Sequence, residues 1–217
     1  MILVDQQILE LVRRGTLQLD PFHSGERVSG QISTGLSSAG YDLRLGNKFL
    51  VPRLDDALPL DPKDPKSLSF ETVYRNDHSK FLIPSRSFVL GHSVEYIKVP
   101  RFVIGLVFGK STYARAGLIV NVTPLEPGWE GQLTIELVNP SPRPVAVYPG
   151  EGIAQLLFVR LGGLPYRDYL QKGGVYQGQR EVTLPRVFGR STPELGGHVE
   201  HNAKSQNIDT AYNQSAG

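Results

Sequence analysis

The chain has 217 residues, 40% of them hydrophobic, enough for one domain with a substantial core. Its 23 basic and 21 acidic residues leave a net charge of +2, which argues against a broad nucleic-acid-binding surface but allows one small basic pocket. The absence of cysteine excludes disulfides and thiolate metal sites. No apolar run approaches membrane-spanning length, and the charged opening segment does not suit a signal peptide. We therefore expect a cytoplasmic protein without membrane or nucleic-acid partners.

The N-terminal part of the chain predicts one short helix and one strand region. Asp5 is a candidate helix N-cap, apolar residues at helical spacing follow it over 8–12, and Gly15 can end the helix. Residues 16–35 are predicted as loop. Apolar and polar residues then alternate within the segment 37–52, which predicts a strand.

The rest of the chain predicts an all-β fold. Residues 53–79 are rich in proline and charge, and we expect them to run over the surface. Beyond them, short apolar runs separated by turn residues predict strands at 81–84, 87–98, 102–108, 118–123, 131–138, 145–148 and 152–160. The scarcity of further helical patterns argues against βαβ units and a Rossmann fold. Residues 188–217 are polar with few apolar anchors, and we predict that they form a mobile tail.

Two short segments carry candidate functional residues. In FGKSTYARAG (108–117), two cations and two hydroxyls at a strand end suit phosphate, although the spacing is not that of a P-loop. A solvated turn would explain the same residues. In GQLTIELVNP (131–140), the period of two places Leu133, Ile135 and Leu137 on one face and Thr134, Glu136 and Val138 on the other. Glu136 therefore lies either on a wet face or in a polar pocket.

Two further segments and the histidines have more than one interpretation. Trp129, the only tryptophan, is interpreted as a structural plug. The Gly- and Tyr-rich segment 169–180 is either an irregular surface loop or a loop that closes over a ligand. None of the five histidines forms an H-E-x-x-H pair, and the zinc deaminase signature requires cysteines that the chain lacks.

Taken in order, several motifs resemble the dCTP deaminase branch of the dUTPase-like family. They are SSAGYDLRLG (37–46), GKSTYARAGLIVNVTPLEPGWEG (109–131), LTIELVNP (133–140), EGIAQLLF (151–158), GGVYQGQ (173–179) and VTLPR (182–186). With the opening MILVD, the resemblance covers nearly all of residues 1–186. It implies a dUTPase-like domain over 1–187, folded as a distorted β-barrel or jelly roll with a short N-terminal helix. It also implies a homotrimer with active sites between subunits.

The activity implied by the resemblance is hydrolytic deamination of dCTP to dUTP and ammonia. Magnesium would accompany the triphosphate, without protein side chains as metal ligands and without zinc. The resemblance assigns catalysis to Glu136, Ser111 and Arg115. It assigns substrate binding to these three residues and to Lys110, Thr112, Tyr113, Ala114, Pro124, Glu126, Thr134, Ile135, Gln155, Tyr169 and Gln179. As the acid–base group, Glu136 needs a pKa raised toward neutrality, which partial burial can supply.

One departure from the family pattern and two alternative functions remain open. Relatives often carry Lys where this chain has Val175, so a phosphate contact from that loop is in doubt, with Lys172 or Arg180 as possible substitutes. One alternative is a bifunctional deaminase and dUTPase that releases dUMP and pyrophosphate. The other is a non-catalytic nucleotide-sensing module on the same fold.

Overall fold

The computed structural model describes residues 1–53, 59–64, 67–75 and 79–189. This part of the chain contains the helices α1 (Asp5–Arg13) and α2 (Ser111–Arg115). Its strands are β1 (Gln18–Asp20), β2 (Gly35–Ser37), β3 (Gly40–Arg44), β4 (Lys48–Pro52), β5 (Phe70–Tyr74), β6 (Phe81–Ile83), β7 (Ser87–Lys98), β8 (Val103–Gly109), β9 (Ile119–Asn121), β10 (Glu130–Asn139), β11 (Val145–Val147) and β12 (Gly152–Arg160). Neither of these two helices has the length or apolar character needed to cross a membrane.

Two antiparallel sheets enclose the core. The larger has the order β5-β4-β7-β10-β9, with β1 also paired to β7, and the smaller has the order β2-β3-β12-β8. A two-stranded sheet, β11-β6, completes the described strands. Tyr41 and Phe158 from the smaller sheet and Phe49, Ile97 and Ile135 from the larger sheet belong to one buried cluster. The predicted all-β class with a short N-terminal helix is therefore confirmed.

The predicted strands of the second half are confirmed to within a few residues. In β10 the alternation is regular: Leu133, Ile135 and Leu137 are buried, while Thr134 and Glu136 on the opposite face are partly exposed. The long partner strand β7 pairs with β10 along most of its length, so β10 lies inside the larger sheet. A strand held on both sides gives its side chains fixed directions, which matters for Glu136.

Two details of the N-terminal predictions are wrong. Val4, and not Asp5, is the N-cap of α1, and the Gln7 side chain accepts a hydrogen bond from the Val4 N–H at 3.2 Å. The predicted loop 16–35 contains β1. The segment predicted to run over the surface, 53–79, contains β5, whose residues are exposed or partly exposed, and its residues 54–58, 65–66 and 76–78 lie outside the described part of the chain. Both strands are short and lie at sheet edges, so they carry too few alternating residues to be detected locally. Of the predicted tail, residues 190–217 lie outside the described part of the chain.

A buried ion pair joins the two sheets. The Arg44 side chain on β3 donates to the Glu95 carboxylate on β7 at 2.6 Å, and the Arg44 backbone N–H donates to it at 3.0 Å. Glu95 is completely buried. Burial raises the pKa of Glu95, and the hydrogen bond and charge of Arg44 only partly oppose this effect. The fold therefore depends on Arg44 to keep this carboxylate compensated.

Candidate active site

A cavity of about 640 Å³ opens beside the face of β10 that carries Thr134 and Glu136. The loop before β10 forms one wall, with Thr123, Pro124, Glu126 and Trp129. The segment 168–186, which we call the strap, forms the other wall. The strap contributes Tyr169, Tyr176, Gln179 and Thr183 to this wall. The volume lies in the range of small-molecule and cofactor sites.

Glu136 is a partly buried carboxylate in this cavity. Burial raises its pKa to about 7, and a hydrogen bond from its own backbone N–H opposes the rise. No ion pair to Glu136 is found among the described residues. Of the two interpretations left open, the pocket agrees with the position of Glu136 in the cavity wall. A carboxyl group with this pKa can exchange a proton near neutral pH.

A local irregularity in β10 adjoins the cavity. The pairing of β10 with β7 changes register between Gln132 and Thr134. At this point the Leu133 N–H donates to the Ser93 hydroxyl at 2.8 Å, and the Gln132 side chain donates to backbone carbonyls of β7. Such bulges redirect neighbouring side chains and are common beside functional sites.

The strap closes the cavity through hydrogen bonds to β10. The Gly178 N–H donates to the Glu130 carbonyl at 2.8 Å, and the Gln132 N–H donates to the Gln179 carbonyl at 2.9 Å. The Gln179 amide also donates to the Gln132 carbonyl at 2.7 Å. Gln179 is thereby fixed in the cavity wall. Of the two interpretations of segment 169–180, the one in which it closes over a pocket agrees with this arrangement.

Thr183 is a cavity residue to which the sequence analysis assigned no role. Its N–H donates to the Thr134 hydroxyl at 3.2 Å, and its hydroxyl donates to the Gln179 side chain at 2.9 Å. The three side chains form one polar network over the face that carries Glu136. The VTLPR motif contained Thr183, but no spacing rule links it to β10.

Trp129 is both the predicted plug and part of the cavity wall. It is buried, and its indole N–H donates to the Tyr176 carbonyl on the strap at 3.2 Å. The turn before it requires Gly128, which has φ +82° and would place a Cβ 2.9 Å from the Asp168 side chain. Trp129 therefore connects the loop wall to the strap wall.

The predicted phosphate segment, 110–115, forms α2 and lies outside the cavity of a single chain. Ser111, Thr112, Ala114 and Arg115 are exposed. In the described part of the chain, the side chains of Ser111 and Arg115 have neither a hydrogen bond nor an ion pair. The structure thus leaves two of the three predicted catalytic residues at the surface of the subunit.

The other two residues of this segment already have partners. The Lys110 ammonium lies 2.6 Å from an Asp42 carboxylate oxygen and 2.9 Å from the Ser33 hydroxyl. Tyr113 is buried, and its hydroxyl accepts a hydrogen bond from the Tyr148 N–H at 3.2 Å. Burial raises the pKa of Tyr113 to about 12. In the isolated subunit, Tyr113 is therefore a packing residue.

Two more predicted binding residues lie away from the cavity. Ile135 belongs to the core on the opposite face of β10 from Glu136, so it can reach a ligand only through its backbone. The Gln155 amide on β12 donates to the Ser37 hydroxyl at 3.4 Å. The predicted residues that do line the cavity are Pro124, Glu126, Thr134, Glu136, Tyr169 and Gln179.

The candidate substitutes for the missing lysine at Val175 have different surroundings. The Lys172 ammonium lies 3.5 Å from the carboxylate of Glu126, which lines the cavity. Arg180 lies 4.0 Å from the centre of the Tyr96 ring, in a cation–π contact. Both members of the Lys172–Glu126 pair are about half exposed, so this pair is weak and can reorganise. Lys172 is therefore better placed than Arg180 to reach a ligand in the cavity.

The sequence matches a known protein family over most of its length. A family model described as dCTP deaminase-like matches residues 2–161. The chain belongs to this family. A family member from Acidiphilium cryptum, named dCTP deaminase, is 48% identical over 169 residues, which are 78% of this chain and 90% of the relative. Another from Erythrobacter litoralis, also named dCTP deaminase, is 43% identical over 187 residues, which are 86% of this chain and 99% of the relative.

A solved structure supports the fold assignment. It is the 2'-deoxycytidine 5'-triphosphate deaminase from Agrobacterium tumefaciens, which superposes with a TM-score of 0.53 at 22% identity. The match covers 74% of this chain but only 48% of that one, so this chain spans about half the length of the solved relative. At this identity the likeness concerns the fold alone. Within the described ranges, no three His, Asp or Glu side chains are grouped as a metal site.

Proposed function

We propose that the protein hydrolyses dCTP to dUTP and ammonia. The observation that carries this proposal is the half-buried Glu136, whose pKa of about 7 is matched to acid–base work in a cavity large enough for a nucleotide. The names of its family members supply the substrate. Release of ammonia on incubation with dCTP and magnesium is the direct test.

In the proposed mechanism, the ionised Glu136 accepts a proton from a water molecule that attacks C4 of cytosine. The new C–O bond forms a tetrahedral intermediate, and the electron pair of the C4–N3 double bond moves to N3. Glu136 delivers the proton to the amino nitrogen, the bond from C4 to this nitrogen breaks as the C4–N3 double bond re-forms, and ammonia leaves. The remaining hydroxyl proton moves from O4 to N3, which gives uracil. Glu136 returns to its ionised form, so protons balance over the cycle. Because Glu136 must be ionised to start, burial must raise its pKa without keeping it protonated at the working pH.

The cavity wall offers groups for the rest of the nucleotide. Thr134 and Gln179 present hydroxyl and amide groups beside Glu136, suited to the exocyclic groups of a pyrimidine. Glu126 on the loop wall and Tyr169 on the strap wall would hold the deoxyribose. We assign the triphosphate to Lys172, with magnesium on the phosphate oxygens. Water activation by a carboxylate makes zinc unnecessary, in keeping with a chain that has no cysteine ligands.

We propose that the functional unit is a homotrimer whose sites lie between subunits. The exposed Ser111 and Arg115 would then complete the cavity of a neighbouring chain. Their segment is flanked by Phe108 and Ile119, each 53% exposed, which are large apolar side chains of the kind that subunit contacts bury. The same contact would allow Ser111 to bind the attacking water, with the Pro124 carbonyl as a second acceptor.

Mixed oligomers test this arrangement. Glu136→Gln and Arg115→Ala subunits should each be inactive alone, because each removes one part of every site. After co-refolding at equal amounts, about a quarter of the sites should combine an intact Glu136 with an intact Arg115 from the neighbour, restoring about a quarter of the activity. Light scattering should find three chains per particle. An active monomer, or no recovery in a mixture shown to exchange subunits, would contradict the interface site.

We expect dUTP, and not dUMP, as the product. In LEPGWEG (125–131), Glu126 stands where the dUTPase pattern places an Asp that activates water against the α-phosphate. The longer side chain shifts the carboxylate, Pro124 and Pro127 restrict the turn, and Lys172 lies 3.5 Å from the carboxylate. Chromatography of the reaction mixture with a pyrophosphate assay measures the outcome. If pyrophosphate forms in step with ammonia, the bifunctional alternative is correct and Glu126 is a second general base.

The non-catalytic alternative predicts dCTP binding without ammonia release. A non-catalytic sensor does not require a carboxyl group with a pKa of about 7 beside the ligand. The raised pKa of Glu136 therefore favours the catalytic function over the sensing function. Cytoplasmic location, predicted from composition, and the absence of nucleic-acid and membrane partners stay predictions.

A further inference from the structure

The strap lies across the face of the larger sheet that carries Glu136. After its hydrogen bonds to β10, it passes over β7 and reaches β4. Val182 and Leu184 pack with Leu50 on β4 and Leu90 on β7 in a small cluster separate from the main core. Such a small apolar contact holds the strap less firmly than the core holds its strands.

An ion pair reinforces this crossing. The Lys48 ammonium on β4 lies 2.7 Å from the Glu181 carboxylate on the strap. The Lys48 side chain is only 14% exposed, whereas that of Glu181 is 51% exposed. The hydrogen bond from Lys48 is the main cause that lowers the pKa of Glu181, and burial opposes it. The pair therefore combines a largely buried cation on β4 with an accessible anion on the strap.

Glu181 has an unusual backbone conformation that is stabilised by its contacts with two strands. Glu181 has φ +53°, in the left-handed region that non-glycine residues seldom adopt. Its N–H donates to the Gln132 side chain at 2.8 Å, so the side chain and the backbone of this residue are fixed by two different strands. A residue in this conformation persists only when its surroundings compensate the cost.

We propose that Lys48 and Glu181 form the latch that keeps the strap over the Glu136 cavity, and that both are positioning residues for nucleotide binding. This inference rests on the proposed function. Neither residue lines the cavity, whereas the strap residues Tyr169, Gln179 and Thr183 do. The latch therefore acts through them, by raising the fraction of molecules in which the binding wall is in place.

The latch predicts a change in KM with little change in kcat. When only molecules with a closed strap bind nucleotide well, lowering the fraction of closed molecules raises the apparent dissociation constant by the same factor. A saturating concentration of nucleotide restores closure, so kcat changes little. Lys48→Met and Glu181→Gln should each raise the KM for dCTP about fivefold and leave kcat within about twofold. The charge-swapped double variant K48E/E181K should recover most of the wild-type KM. Arg14→Met, which breaks the Arg14–Glu10 ion pair on α1, is the control and should have the wild-type KM.

Hydrogen exchange gives a readout that does not need turnover. In Lys48→Met and Glu181→Gln, exchange at the amides of Gly178, Glu181 and Thr183 should be faster, while the amides shared by β7 and β10 keep their protection. Failure of the charge swap to restore KM, an equal effect of Arg14→Met, or unchanged strap exchange would overturn the latch. If the wild-type protein releases no ammonia, the proposed function fails, but the exchange result still decides whether the latch exists.

Discussion

Replacing Glu136 by Gln should lower the rate of dCTP deamination by about 10³-fold or more, because it removes the group that carries the proton in every step of the proposed mechanism. The amide keeps the shape and hydrogen-bonding capacity of the side chain, so affinity for dCTP should change only several-fold. Ammonia release measures the rate, and calorimetric titration with dCTP measures binding. Substantial turnover by the purified variant would reject Glu136 as the acid–base group.

The stability of the same variant shows whether lost activity reflects lost structure. The folded-state pKa of Glu136, about 7, lies above its ordinary value of 4.5, so the folded protein binds this proton more tightly than the unfolded chain. The stabilisation from the bound proton is complete below pH 4.5 and is lost as the pH rises through 7. At pH 8 the buried charge therefore costs up to roughly 3 kcal/mol, an upper bound for a half-buried group.

Glu136→Gln should consequently be more stable than wild type at pH 8, and this advantage should be much smaller at pH 5. Urea unfolding at both pH values, at one protein concentration, measures the difference. A variant that is less stable at pH 8 would mean that the carboxylate is compensated by a cation, as Arg115 of a neighbouring subunit could do. The mixed-oligomer experiment separates these two cases.

Replacing Arg44 by Met should destabilise the fold by about 3–5 kcal/mol, because it leaves the buried Glu95 without its ion-pair partner. The carboxylate would also lose the 2.6 Å hydrogen bond from the Arg44 side chain, although the backbone N–H bond remains. The released carboxyl group should become protonated at a higher pH than in the wild type. Urea unfolding at constant pH measures the loss, and a change below about 1 kcal/mol would show that the pair is not structurally important.

Two control variants isolate the cause. Arg14→Met breaks the exposed ion pair with Glu10 on α1 and should change stability by less than about 0.5 kcal/mol. The double variant R44M/E95M removes both charges and should be more stable than Arg44→Met alone, because no uncompensated charge remains buried. If the double variant is no better, the loss comes from packing and not from the charge.

The sequence alone predicted those strands in which apolar and polar residues alternate over many positions. β10 alternates over ten residues, and this pattern alone placed Glu136 on the face opposite Ile135. Strands β1 and β5 escaped detection because one has three residues, the other has five at a sheet edge, and both depend on pairing with distant strands. The motifs in turn identified the family, since they preserve residue order over nearly the whole of 1–186.

Only the tertiary structure decided what surrounds Glu136. The alternation allowed a wet face or a pocket, and the strap resolves the choice by crossing β10 more than 40 residues later in the chain, where Thr183 meets Thr134. The same packing raises the pKa of Glu136 and brings Glu181 to Lys48, a pair separated by 133 residues. The burial of a side chain and its distance to other charges depend on residues that are close in space but distant in the sequence. A local sequence pattern therefore cannot predict them. The sequence by itself therefore determined which face Glu136 occupies, and the fold determined the pKa with which it works.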